Sequence, residues 1–291
     1  MRARGCRYWA ETSGLPLSLK CIANGRAHYR VAGRDFAIDD GGWLIVNDGQ
    51  PYSIEIDSPT WVETFIVWFP PGWAEEVIHV ASTPDARLLD RPDGPPTHTA
   101  PAGFFERYTP NERVVAPVAH ELRAALAMGG ALEDVWLEQK LRGLLGRMFA
   151  VQRDLAAAVT GLPPLRAATR DELWRRLNRA RDYIHACCDQ PLSLGGMAQV
   201  AALSPFHFLR TFKAAFGETP HAWLTACRVE RAKFLLARTD LAVTEVCLSV
   251  GYEALGSFST WFQRRTGQSP RSWRRIHRPA WEILPTLRRT P

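Results

Sequence analysis

Phe206, Leu209, Arg210 and Lys213 stand three and four residues apart, so on a helix they share one face. Two positive charges set among apolar groups suit the surface of a polyanion better than bond-making chemistry. Beside that face Phe208, Phe212 and Phe216 recur every fourth residue and read as a buried stripe. Ser204-Pro205 supplies an N-cap and a proline at the first helical position, and Gly217 supplies the stop. Just upstream, Ser193 caps a short helix carrying Leu194, Met197 and Val200, and Ala201-Ala202-Leu203 forms a turn. Two short helices with a tight turn, the second bearing a basic face, make a helix-turn-helix whose second helix fits the major groove of duplex DNA.

The pattern occurs twice. At an offset of fifty residues Phe208, Phe212, Gly217, Thr219, Pro220 and Trp223 fall on Phe258, Phe262, Gly267, Ser269, Pro270 and Trp273, and Val200 falls on Val250. In the second copy Val243, Val246, Cys247 and Val250 lie on the first helix and Gly251-Tyr252 in the turn. Phe258, Trp261 and Phe262 are expected on the buried side of its second helix, with Ser257, Thr260 and Arg264 on another face. Between the copies His221 to Arg238 reads as one long helix, with Trp223, Ala226, Val229, Ala232 and Leu236 at helical spacing. Such a helix would hold two recognition helices on one side of a duplex, about one helical turn (~34 Å) apart.

Charge follows the same division. The chain of 291 residues has a formal charge of +6, and 32 of its 36 basic residues are arginine. Residues 1–170 carry 18 basic and 20 acidic side chains, a net of −2; residues 171–291 carry 18 and 10, a net of +8. A basic domain joined to a near-neutral one points to a polyanion partner for the basic part. Catalytic and metal chemistry find little support. Cys6, Cys21, Cys187, Cys188, Cys227 and Cys247 include no C-x-x-C pair and read mainly as small core residues. His28, His79 and His98 stand singly, with no H-x-H pair, so no metal and no cofactor is expected. No apolar run long enough for a membrane span occurs, and the basic N-terminus lacks an apolar signal region, so a cytoplasmic protein is expected.

Length and texture give an α+β multidomain fold. Residues 1–105 read as a β-barrel: Gly33, Gly41-Gly42, Asp48-Gly49 and Pro70-Pro71-Gly72 cut short segments rich in β-branched and aromatic residues. Tyr52, Ile54 and Ile56 alternate with polar neighbours as a half-buried strand, and Val62 to Phe69 reads as a central one. Residues 81–101, with five prolines, read as loop. Within the barrel His28, Trp43, Tyr52, Glu63 and Trp68 are candidates to line an effector pocket, core packing being the other reading of each. Residues 106–160 read as helical, with a stripe of Leu137, Leu141, Leu144, Leu145 and Met148 that packs either on the barrel or on a second copy. Residues 161–170 read as a linker, 171–277 as an all-α domain of two helix-turn-helix units joined by the long helix, and 278–291 as a tail.

The segment LSLGGMAQVAALSPFHFLRTFKAAFGETP, followed by RVERAKFLL and GYEALGSFSTWFQRRTGQSPRSWR, resembles the DNA-binding domain of the AraC/XylS transcription regulators over Leu192 to Arg275. The N-terminal part resembles the cupin-like barrel that many of these regulators carry, on pieces such as VNDGQPYSI. The resemblance implies promoter binding, usually activation through RNA polymerase, a small-molecule effector in the barrel and a homodimer made through the helices after it. It places base reading at Phe206, Leu209 and Arg210, where only Arg210 can make a bidentate contact, typically to guanine, while Phe206 can meet a thymine methyl. The corresponding positions of the second unit are Leu255, Gly256 and Thr260, with shorter side chains, so that unit is expected to grip phosphate through Ser257, Ser259 and Arg264. Ser204 and Lys213 complete the expected contacts of the first. The alternative is a ligand-independent regulator whose barrel serves only oligomerisation or protein contact. An enzyme of the repair-methyltransferase kind is disfavoured, because Cys6 and Cys21 lack companion cysteines.

Overall fold

A computed structural model describes residues 2–40, 42–83, 104, 108–109, 115–128, 133–158 and 167–278. The chain divides into two compact units, Met1–Asp182 and Tyr183–Pro291. In the first, strands β1 (Arg2–Thr12), β2 (Ser18–Ala23), β3 (Arg26–Val31), β4 (Arg34–Asp39), β5 (Trp43–Val46), β6 (Tyr52–Trp68) and β7 (Tyr108–Thr109) form one antiparallel sheet, wrapped into a nearly closed barrel. The order is β4-β3-β6-β2-β5-β7, with β1 on the other side of β6.

β6 is 17 residues long and organises the barrel. Its first half pairs with β3, His28 opposite Glu55 and Val31 opposite Tyr52. Its second half pairs with β2, Ser18 opposite Trp68 and Ala23 opposite Glu63. The β3–β4 hairpin turns through Ala32 (φ 49) and Gly33 (φ 73). Two positive φ values in a two-residue loop match the twist of the flanking strands.

Alternation sorts the side chains onto two faces. Ile22, Tyr29, Leu44, Val46, Tyr52, Ile54, Ile56 and Val62 turn into the barrel. Leu19, Trp43, Ile45, Phe65 and Val67 turn outward and are covered by helices. Those helices are α1 (Trp73–Ser82), α2 (Ala116–Ala127) and α3 (Asp134–Ala158). Leu144, Leu145 and Met148 are fully buried there, with Leu137 and Leu141 packed beside them. The α3 stripe thus packs on its own sheet. Asn47 fastens Phe104 to the barrel by two hydrogen bonds, from Nδ2 to the Phe104 oxygen (2.7 Å) and from the Phe104 nitrogen to Oδ1 (2.8 Å).

Three segments differ from expectation. α1 lies in a region read as β; Pro70-Pro71-Gly72 precedes it, Glu75 and Glu76 favour its N-terminal dipole, and Ala74, Val77 and Ile78 face the outer core. β7 extends the sheet past residue 105, because Trp43 and Leu44 offer a free edge to Thr109 and Tyr108. Helix α4 (Ala167–Ala186) begins within the stretch read as linker, where Ala167 and Ala168 favour helix over coil. Of the loop read at 81–101, residues 84–101 lie outside the described residues, as do 161–166 and 279–291.

The second unit is all helix: the end of α4, then α5 (Leu194–Val200), α6 (Pro205–Phe216), α7 (Pro220–Arg238), α8 (Val243–Ser249), α9 (Leu255–Thr266) and α10 (Pro270–His277). α7 joins two aromatic cores of like design. Phe208, Phe212 and Phe216 run to Trp223 with ring centroids 4.6 to 6.3 Å apart. Phe258 and Phe262 run to Trp273 at 5.7 and 6.0 Å.

Candidate nucleic-acid interface

The first unit follows its sequence signals closely. Ser193 Oγ accepts a hydrogen bond from the Gly196 nitrogen (3.0 Å) at the start of α5, and Ser204 Oγ accepts one from the His207 nitrogen (3.4 Å) at the start of α6. Gly217 ends α6 at φ 77. Phe208, Thr211 and Phe212 are buried, which fixes the opposite side outward. There Phe206 is 75% exposed, and Leu209, Arg210 and Lys213 are exposed with it. The Arg210 guanidinium lies 5.9 Å from the centre of the Phe206 ring, so cation and ring stand side by side on the outer face.

The second unit repeats the core but not the face. Phe258 and Phe262 are fully buried in α9, while Leu255, Gly256, Ser257, Thr260 and Arg264 are exposed and Ser259 is half-buried. Thr260 spends its hydroxyl on the Gly256 carbonyl (3.0 Å). Helix α9 starts at Ala254, without a side-chain cap. Trp261, expected in the core, is 41% exposed, with Arg264 5.9 Å from its ring. It occupies the place where the smaller Thr211 is buried in α6, and the indole overruns the core margin.

The repeat offset also shifts. Buried Met197, Ala198 and Ala201 match buried Val246, Cys247 and Val250 at an offset of 49, whereas α6 and α9 match at 50. Val200 therefore does not correspond to Val250; the second turn is one residue longer. The extra residue follows Tyr252, because the backbone hydrogen bonds of Gly251 and Tyr252 still repeat those of Ala202 and Leu203 at an offset of 49. Gly251 takes φ 80 where Ala202 takes φ 51, and a Cβ on Gly251 would lie 2.7 Å from the Asp189 oxygen and 2.9 Å from Arg228 Nη2. Only glycine fits.

Several arginines serve as internal struts. Arg228 donates to the carbonyls of Cys188 (2.7 Å) and Gln190 (2.8 Å), and Arg231 pairs with Asp189 (3.7 Å). Glu230 pairs with Lys233, Asp240 with Arg278, and Glu245 accepts from the Ala242 nitrogen. Arg274 turns inward to the carbonyls of Leu236 (3.3 Å) and Leu241, while Arg271 and Arg275 stay exposed. Arg265 on α9 pairs with Glu218 after α6 (3.7 Å), tying the two units together.

In the barrel the five candidate pocket residues part company. Tyr52 and Trp68 face the interior, on the parity of Ile54 and of Ser18. Trp43 and Glu63 face the covering helices, Trp43 in the outer core and Glu63 beside Arg123 (3.8 Å). His28 sits on the side of β3 away from Tyr29, half-buried. Both faces of this sheet are buried, so hydrophobicity alone does not show which side a strand residue takes. Tyr52 and Trp68 meet about a residue the sequence reading passed over. Lys20, fully buried, donates from Nζ to Tyr52 Oη (2.9 Å) and lies 4.2 Å from the Tyr52 ring centre and 5.6 Å from that of Trp68. Burial pulls its amine down to about 7. Its only sequence signal is a lone charge in the otherwise uncharged strand Ser18–Ala23.

Residues 197–276 match a family model described as a helix-turn-helix domain. Residues 197–276 thus form a helix-turn-helix domain of the type found in AraC-type regulators. The chain is 27% identical over 154 residues to the HTH-type transcriptional regulator YobQ of Bacillus subtilis, covering 53% of this chain and 61% of that protein. It is 33% identical over 95 residues to the bifunctional transcriptional activator/DNA repair enzyme AdaA of the same organism, covering 33% of this chain and 45% of AdaA. The chain thus spans about six-tenths or less of the length of these curated relatives. Among solved structures it is similar to the C-terminal domain of AraT from Geobacillus stearothermophilus (34% identity, TM-score 0.35, covering 36% of this chain and 88% of that one). It is also similar to the DNA-binding domain of AdpA in complex with a target DNA (27% identity, TM-score 0.34, covering 34% and 90%). Within the AraC-type domain, the one-residue longer second turn and the inward Arg274 escaped sequence reading, because both depend on what the helices meet after folding.

Proposed function

We propose that this chain is a transcription regulator that binds promoter DNA through two unequal helix-turn-helix units. The observation that carries this reading is the pairing of two closely similar aromatic cores with two dissimilar outer faces. α6 presents Phe206, Leu209, Arg210 and Lys213 to the major groove, with Arg210 as base reader and Lys213 and the Ser204 end of the helix at phosphate. α9 offers Leu255, Gly256 and Thr260 where long readers would stand, and holds the backbone through Ser257, Ser259 and Arg264.

On this reading the barrel takes a small-molecule effector around Tyr52 and Trp68 and biases the DNA-binding equilibrium by preferring one state. Action as an activator through RNA polymerase, and as a homodimer, belongs to the same proposal. A purely oligomeric role for the barrel is less well supported, since the α3 stripe is used against the chain's own sheet. So is a cysteine-based repair activity: burial pushes the Cys21 thiol up to about 12, which keeps it out of the nucleophilic thiolate form at neutral pH.

The test is equilibrium binding of the full chain to genomic promoter fragments over a series of salt concentrations. Affinity should fall linearly on a log–log plot, with a slope set by the phosphates contacted. Binding that ignores salt would remove the DNA-binding reading.

A further inference from the structure

The interior of the barrel holds an unusual set of polar groups. Lys20 is fully buried and, among the described residues, has no carboxylate partner; its one hydrogen bond goes to Tyr52 Oη. Ser18 Oγ, Tyr29 Oη and Trp68 Nε1 are buried and find no hydrogen-bond partner among the described residues. All four lie on the same face of the sheet. Ser18 and Lys20 alternate with outward Leu19; Trp68 stands opposite Ser18; and the Tyr29 ring lies 6.0 Å from that of Tyr52.

Buried donors without acceptors cost stability, and a buried amine costs more. The cluster has one charge and four donors, and its hydroxyls are its only side-chain acceptors. A sugar brings hydroxyl donors that need acceptors in return, and a phosphate dianion calls for more than one cation. A carboxylate is acceptor-only and carries one charge. The phenols of Tyr29 and Tyr52 are both pushed up, chiefly by burial, so they remain protonated donors. Pairing with an anion would return the Lys20 amine to its charged form.

We propose that the barrel binds a small organic monocarboxylate, its oxygens held by Lys20 together with Ser18, Tyr29 and Trp68, and its apolar body against Ile22 and Leu44. This rests on the reading of the barrel as the effector-binding half and names the chemical class of the effector.

The test compares matched probes on the full chain by thermal melting and calorimetry. These are straight-chain acids from acetate to laurate and benzoate, each beside its uncharged primary amide. Lys20→Met keeps the length of the side chain and removes the charge; Tyr29→Phe removes one donor and keeps the ring. At least one acid should raise the melting temperature while its amide does not. Lys20→Met should weaken that binding about 10- to 100-fold, and Tyr29→Phe several-fold. No response to any acid, equal response to acid and amide, or an undiminished response in Lys20→Met would overturn the assignment. DNA binding by both variants without probe is measured in parallel. If an amide binds the barrel independently of Lys20, the effector reading stands and the carboxylate class fails; if even the unsubstituted chain binds no DNA, the regulator reading itself fails.

Discussion

α6 and α9 are built on the same plan and present different surfaces. Phe208 and Phe212 in one, and Phe258 and Phe262 in the other, are buried to the same degree and lean on a tryptophan of the following helix. On the outside, Arg210 beside Phe206 faces solvent in the first, whereas the corresponding positions of the second carry only Thr260 and Gly256. A core that must fill one space tolerates little change, while the solvent face is released to diverge with whatever it touches. Similarity between the two units thus measures folding, and their dissimilarity lies on the faces that the proposed function assigns different contacts.

The comparison can be broken at several levels. Phe212→Ala and Phe262→Ala should each destabilise the C-terminal domain by about 3–5 kcal/mol, and by similar amounts, in denaturant melts. Costs several kcal/mol apart would mean that the two cores are not equivalent. Gly251→Ala should cost about 1–3 kcal/mol through its positive φ and the closeness of the Asp189 carbonyl, while glycine placed at Ala201, the buried position before it in the first unit's turn, should cost about 1 kcal/mol. On DNA, Arg210→Ala should lose about 1–3 kcal/mol at the preferred site and relax one base pair, whereas Thr260→Ala should change affinity by less than about 0.5 kcal/mol. The helix starts give the smallest effect. Ser204→Ala should cost about 1 kcal/mol, and Ala254→Ser should gain a comparable or smaller amount by supplying the cap that α9 lacks.

Much of the C-terminal architecture was legible because its signals are local. Ser204-Pro205, Gly217 and the four-residue phenylalanine spacing state a helix, its ends and its buried side without reference to the rest of the chain. What escaped was set by contact at a distance. Arg274 reads as one more surface cation until the carbonyls of Leu236 and Leu241 are beside it. Trp261 reads as core until it is found 41% exposed at the place where the smaller Thr211 of α6 is buried. In the barrel, alternation placed Tyr52, Ile54 and Ile56 correctly on one face. It could not decide between Trp43 and Leu44, since both are buried and only pairing with β2 assigns them to opposite sides. Lys20 was invisible for a related reason: a single charge in a strand signals nothing until the strand is closed into a barrel.

The central claim is that the two units read DNA unequally, and a base-by-base substitution scan of a bound promoter site tests it most directly. Large losses are expected only in the half-site under α6, falling to near zero in Arg210→Ala at one base pair, with a flat profile under α9. Equally sharp preferences under both helices, or sharp ones under α9 alone, would contradict it.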